Sequence, residues 1–236
     1  MRVCGIHEVE RRADAGLAST NAGDRDVALR IIGDAAALAT RLECDRVLLE
    51  PGIVRVVGDA GPTDLGDAAR PLSVDVAASQ IARRNAAMNA GLDAACRSLF
   101  VLTRRHPDTT FCLMPSRSVF GLGEPAALEF LFEDLKRTKL RYWHDAAIAA
   151  RRHEVLGTDQ GLWLERFGSR MEGVTASDTA DGVLHLPPGS GRVDYPLLAS
   201  YTAPLARHFP VLVDLDPAVA QNEISGVHAF LDKMGL

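Results

Sequence analysis

Along the 236-residue chain, short apolar runs alternate with longer stretches of helical period, and this alternation limits the fold more than any other feature. "RVCGIHE", "DRVLLEPG", "TTFCLMPS", "KLRYWHD", "EGVTASD" and "PVLVDLD" read as six strands. Between the first two lies "DVALRIIGDAAALATRLEC", where Val27, Ile31, Ala35, Leu38 and Leu42 recur at helical spacing. A long Ala-rich helix is predicted from Leu72 to Arg105, with Gly91 as a candidate bend. "EPAALEFLFEDLKR" starts with a proline suited to a first helical turn. "AAIAARRHEVLG" and "GLWLERFGSR" are the next helices. "DYPLLASYTAPLARHF" follows, with Asp194 as its N-cap, and "PAVAQNEISGVHAFLDKMG" closes the chain. "TADGVLHLPPGSGRV" reads as a loop, and residues 52–72 as a Gly/Pro-rich loop or lid. Strand-then-helix order predicts a parallel α/β sheet covered by helices, since parallel strands need crossover connections. An open doubly wound sheet is the alternative arrangement.

The bulk numbers exclude several classes. A hydrophobic fraction of 47% supplies a large core, and a net charge of −5 without a basic stripe argues against nucleic acid as a partner. No apolar stretch approaches the roughly 18 residues of a membrane span, and no secretory leader is visible. The four cysteines form no Cys-x-x-Cys pair, which predicts reduced thiols and a cytoplasmic location. The Gly-x-Ser-x-Gly elbow, the Rossmann fingerprint and the P-loop are all missing.

In parallel α/β folds, chemistry sits at the carboxyl ends of the strands. The residues there are Glu50, Met114, Ser116, His144, Asp145, Thr175, Ser177, Asp178, Asp214 and Asp216. Because side chains alternate, Asp145 shares a face with Trp143 and not with His144. Glu50, Asp145 and Asp214 converging at one rim would suit a hard cation such as Mg²⁺ or Mn²⁺. The competing reading is that each acid caps a helix or meets an arginine. Trp143 can stack on a sugar face or fill the core. Arg117 can clamp an anion or be solvated, and His144 is a weaker candidate base than its neighbour is. Gly189-Ser190-Gly191 is either a phosphate-binding nest or, more simply, a tight loop-to-helix turn.

"RYWHDAAIAARRHEVLG", "MEGVTASD" and "LHLPPGSGRVDY" together resemble the xylose isomerase-like TIM-barrel superfamily, over about residues 27–217. That superfamily includes sugar (phosphate) isomerases and epimerases and endonuclease IV-type phosphodiesterases. The resemblance implies one (β/α) barrel-type domain over residues 1–236, incomplete or distorted, with about six βα units. Its Pro-Gly-x-Gly turn is kept as Pro188, Gly189, Gly191, Asp194 and Tyr195. It implies a divalent cation (Mn, Mg or Zn) on Glu50, Asp145 and Asp214, and catalytic roles for Asp145, Asp178 and His185. Trp143, Arg117 and His144 would then face a small-molecule sugar or sugar phosphate.

The ligand set departs from the family pattern. Ile148 stands where a histidine partner of Asp145 belongs, and Thr175 stands for another histidine. Met114 replaces a glutamate, and its soft thioether is no ligand for a hard cation. Asp214 replaces the last glutamate. The expected function is a sugar isomerase or epimerase with a degenerate metal site. A non-catalytic binding or accessory protein on the same scaffold is the rival reading, and an endonuclease IV-like phosphodiesterase is a third. Six strands cannot close as eight do, so an open or distorted barrel, or a homodimer covering its edges, is expected.

Overall fold

The computed structural model describes residues 3–7, 16–56, 58, 63–67, 69–205 and 209–236. Arg2 and Glu8 of the first expected strand, Val57 and Asp59–Pro62 of the expected lid, and Ala206–His208 of an expected helix lie outside them. Among the described residues, six strands in parallel pairings, separated by helices, make this an α/β fold of the (β/α) barrel type. The chain divides into two compact units, residues 1–63 with 78–141 and residues 64–77 with 142–236.

In the first unit, β1 (Ile6–His7) pairs in parallel with β2 (Arg46–Leu49), and β2 pairs with β3 (Thr110–Leu113). Val47, Leu48, Leu49, Phe111, Cys112 and Leu113 are all buried, as strands covered on both faces must be. Helix α1 (Ala22–Arg41) starts at Asn21, whose side chain accepts the Gly23 N–H at 2.7 Å. Its buried face is Ala28, Leu29, Ile32, Ala35, Ala36 and Ala39, whereas Val27, Leu38 and Leu42 are exposed. The sequence reading placed that face about one residue out of phase. Backbone proximity explains the error: a Cβ at Gly16 would lie 2.6 Å from the Ala28 Cβ, so the smallest side chains face inward.

Helix α2 (Val74–Arg105) runs unbroken through Gly91. That glycine makes room for Val54, whose Cγ2 would lie 2.9 Å from an added Cβ. Buried Arg84 on α2 reaches Glu124 at 2.7 Å, just ahead of α3 (Pro125–Asp134).

In the second unit, β4 (Leu140–Asp145) pairs in parallel with β5 (Met171–Thr175), and β5 pairs with β8 (Val211–Leu212). The β4–β5 register shifts between Tyr142 and Trp143, where Gly173 yields space to the indole. Helices α4 (Ala146–Leu156) and α5 (Gly161–Phe167) join these strands, and α6 (Tyr195–Thr202) precedes β8. Asp194 caps α6 as expected, accepting the Leu197 N–H at 2.9 Å.

Two expectations need correction here. Residues 178–186, read as loop, form an antiparallel hairpin of β6 (Asp178–Ala180) and β7 (Val183–Leu186). Its turn, Asp181-Gly182, has φ of 51° and 84°, the left-handed pair that a tight hairpin requires. The closing helix is two pieces, α7 (Gln221–Ile224) and α8 (Val227–Met234), interrupted at Ser225-Gly226.

Candidate active site

The second unit gathers Asp145, His185 and Asp214 around the end of β4. Asp145 ends that strand and begins α4 at once, so its Oδ1 accepts the Ile148 N–H at 2.9 Å. The carboxyl group is buried. Burial raises its pKa to about 6; the Ile148 N–H and then the His185 charge oppose that rise, and Asp214 adds to it. Asp145 is therefore within reach of both partners' charges.

His185 sits on β7 with φ of +63°, an uncommon conformation for a residue with a side chain. Its carbonyl accepts the Asp216 N–H at 2.8 Å. Ser177 holds the segment after β8 from the other side, donating its hydroxyl to the Asp214 carbonyl and accepting the Asp214 N–H at 3.2 Å. These bonds set the Asp214 carboxylate before the imidazole, Oδ2 to Nδ1 at 3.5 Å. Nδ1 itself is buried without a hydrogen-bond partner among the described residues. Asp214 is half exposed, so the trio runs from a dry carboxyl to a wet one.

Several expected roles fall elsewhere. Asp178 is fully buried, and its oxygens accept the N–H groups of Thr179 (2.8 Å), Gly189 (3.0 Å) and Val193 (3.0 Å). It organises the loop. The Gly189 N–H is spent on Asp178 and the Ser190 N–H on the Pro187 carbonyl (3.1 Å). Gly191 is glycine for packing: a Cβ there would overlap the Thr179 carbonyl and the Asp178 carboxylate.

Trp143 is 1% exposed and donates its indole N–H to the Thr175 hydroxyl at 3.0 Å. It fills the interior, where it has no open face for a sugar. His144 is 3% exposed and shares a 2.7 Å bond between Nδ1 and the Tyr142 hydroxyl. Burial depresses the His144 pKa to about 3, which keeps the ring neutral and removes it as a substrate contact or base. In the first unit, Glu50 follows β2 and accepts the Arg117 backbone N–H at 3.2 Å. Buried Met114 follows β3, its N–H on the Leu49 carbonyl at 3.1 Å.

The residues do not suit the divalent cation that the fold implies. Among the described residues no group of three or more His, Cys, Asp and Glu side chains is arranged to hold a metal. The donor chemistry gives the reason. Thr175 offers a neutral hydroxyl already bonded to the indole, Met114 a thioether, and Asp145 an oxygen already turned to Ile148.

Sequence reading missed Tyr195 as a site residue, treating it as part of the turn. Its side chain is 2% exposed, its hydroxyl has no hydrogen-bond partner among the described residues, and its ring meets Phe230 edge-on at 5.0 Å. Burial raises its pKa, and the charges of Asp178 and then Asp145 raise it further, so the hydroxyl lies near both carboxylates. The signal was an aromatic residue at the first position of a capped helix next to an acidic strand end. A separate polar cleft of about 640 Å³ is lined by Arg151, His153, Glu154, Gln160, Asp181 and Arg192. Its cations are already occupied, Arg151 with Glu154 at 2.8 Å and Arg192 with Glu154 at 3.8 Å.

A parallel α/β fold with an acid–histidine–acid cluster at its strand ends is the architecture of a (β/α)-barrel protein. Comparison with solved structures assigns the fold. A D-tagatose 3-epimerase-like protein matches with a TM-score of 0.69 at 16% identity, over 98% of this chain and 76% of that one. The apo 3-keto-D-glucoside 4-epimerase from E. coli matches with a TM-score of 0.67 at 13% identity, over 99% and 80%. A proposed xylose isomerase from Rhodospirillum rubrum ATCC 11170 matches with a TM-score of 0.68 at 14% identity, over 100% and 77%. The chain shares the fold of these solved structures. No protein-family model matches the sequence, and no curated protein matches it significantly.

Proposed function

We propose that the protein is a sugar isomerase or epimerase that moves a proton on a free sugar without a metal ion. The observation that carries this reading is a buried carboxyl, Asp145, poised near pH 6 beside a histidine and a second carboxylate. A group with a pKa near the working pH can both take and return a proton. Asp145 would remove the proton from the carbon next to a carbonyl and give it back, on the other face or on the neighbouring carbon. His185 would pass protons between Asp145 and the half-exposed Asp214. The fold neighbours described as epimerases support the substrate class. The acidic surroundings and the spent turn amides favour an uncharged sugar over a sugar phosphate.

The test is incubation with D-tagatose and a panel of other ketohexoses and aldohexoses in D₂O. Proton exchange at the carbon beside the carbonyl, followed by NMR, is expected for the natural protein and not for Asp145→Asn. A second reading, a binding protein on the same scaffold, is favoured by the Thr175 hydroxyl being occupied by the Trp143 indole. Calorimetric binding of a sugar with no exchange in D₂O would select it.

A further inference from the structure

Of the buried polar atoms beside Asp145, the Tyr195 hydroxyl is the one least accounted for by the fold. A buried hydroxyl without a partner weakens a fold, and phenylalanine would make the same ring contacts without that cost. The ring cannot readily turn its oxygen to water: Phe230 holds it edge-on with planes 88° apart. Asp194 caps the helix that Tyr195 begins, and Pro196 stiffens its first turn. Nor does the fold need the hydroxyl nearby. Asp178 is saturated by three backbone N–H groups, and Oδ1 of Asp145 is taken by Ile148.

Chemistry supplies the missing use. Proton removal beside a carbonyl builds negative charge on the carbonyl oxygen, and without a cation that charge needs a preorganised donor. Nδ1 of His185 is a second buried polar atom without a hydrogen bond in the same cluster. Both groups bear electrostatically on Asp145, and buried polar atoms without a protein partner call for a ligand's oxygens.

We propose that the Tyr195 hydroxyl is a ligand-binding donor, held ready to hydrogen-bond the carbonyl or hydroxyl oxygen of a sugar seated between Asp145 and His185. The proposal rests on the sugar reading above and adds a residue to that site. Its test is Tyr195→Phe, measured by thermal unfolding without ligand and by calorimetric titration with D-tagatose. The melting temperature is expected to equal or exceed that of the natural protein, because no protein bond is lost. Affinity for D-tagatose is expected to fall about tenfold, the worth of one neutral donor.

A melting temperature lowered by several degrees would overturn the proposal, since the hydroxyl would then be bonding the protein itself. Unchanged affinity at unchanged stability would overturn it too. If the natural protein takes neither D-tagatose nor any sugar of the panel, the sugar reading fails by itself. The melting comparison then still decides whether the hydroxyl is held in reserve or bonded within the fold.

Discussion

At the strand ends of the first unit, Ser116 and Glu50 each accept a backbone N–H. Ser116, fully buried, accepts the Gly123 N–H at 2.9 Å, and Gly121 and Gly123 press so near that a Cβ on either would overlap it. Glu50 accepts the Arg117 N–H there. At the end of β4 in the second unit, polar groups of the same kinds are held apart instead. His185 Nδ1 stops 3.5 Å from Asp214, the Tyr195 hydroxyl has no partner, and Asp145 stays buried with a raised pKa. The candidate site lies in the second unit.

The largest expected effect falls on Asp145. Asp145→Asn keeps the helix cap but removes the proton acceptor, so sugar exchange in D₂O should drop by about a thousandfold. Asp178→Ala tests the frame around it. Losing the acceptor for three buried N–H groups should cost about 3 kcal/mol in denaturant unfolding and free the Pro188–Tyr195 turn.

The same Asp145→Asn change sharpens the comparison through pH. With a folded pKa of about 6 against the ordinary 3.8 of an aspartate, the ionised carboxyl opposes folding. The penalty is absent below the unfolded value, grows as pH rises through 4 to 6, and is complete above. The variant should gain about 2–3 kcal/mol over the natural protein at pH 7.5 and almost nothing at pH 3.5. His144 works in the other direction: its pKa is depressed to about 3, so its contribution is lost as pH falls from 6.5 towards 3. Smallest should be the changes in the first unit. Ser116→Ala should cost about 1–2 kcal/mol of stability and leave sugar exchange intact, and Arg117→Ala should change exchange less than twofold.

The fold was legible because strand–helix alternation is written in apolar spacing. All six strands and the Asp194 cap stand where the pattern puts them. The phase of α1 was not legible, because Ala28, Ala35 and Ala36 face inward for lack of room rather than for their hydrophobicity. The β6–β7 hairpin was legible and overlooked: Asp181-Gly182 between alternating residues is a hairpin signal. At the site, strand-end logic singled out Asp145 and Asp214, and the family resemblance pointed to His185. It could not tell that Asp178 is spent on backbone N–H groups or that Thr175 is spent on an indole. Those bonds join residues 11–32 positions apart, and no local pattern records them.

The central claim is proton chemistry on a sugar at Asp145, His185 and Asp214 without a cation. The most direct measurement is deuterium incorporation into D-tagatose and the hexose panel by protein stripped with EDTA and checked for metal by mass spectrometry. The account predicts exchange that survives stripping, is not raised by added Mn²⁺ or Mg²⁺, and disappears in Asp145→Asn. Exchange that vanishes on stripping and returns with either cation would contradict it.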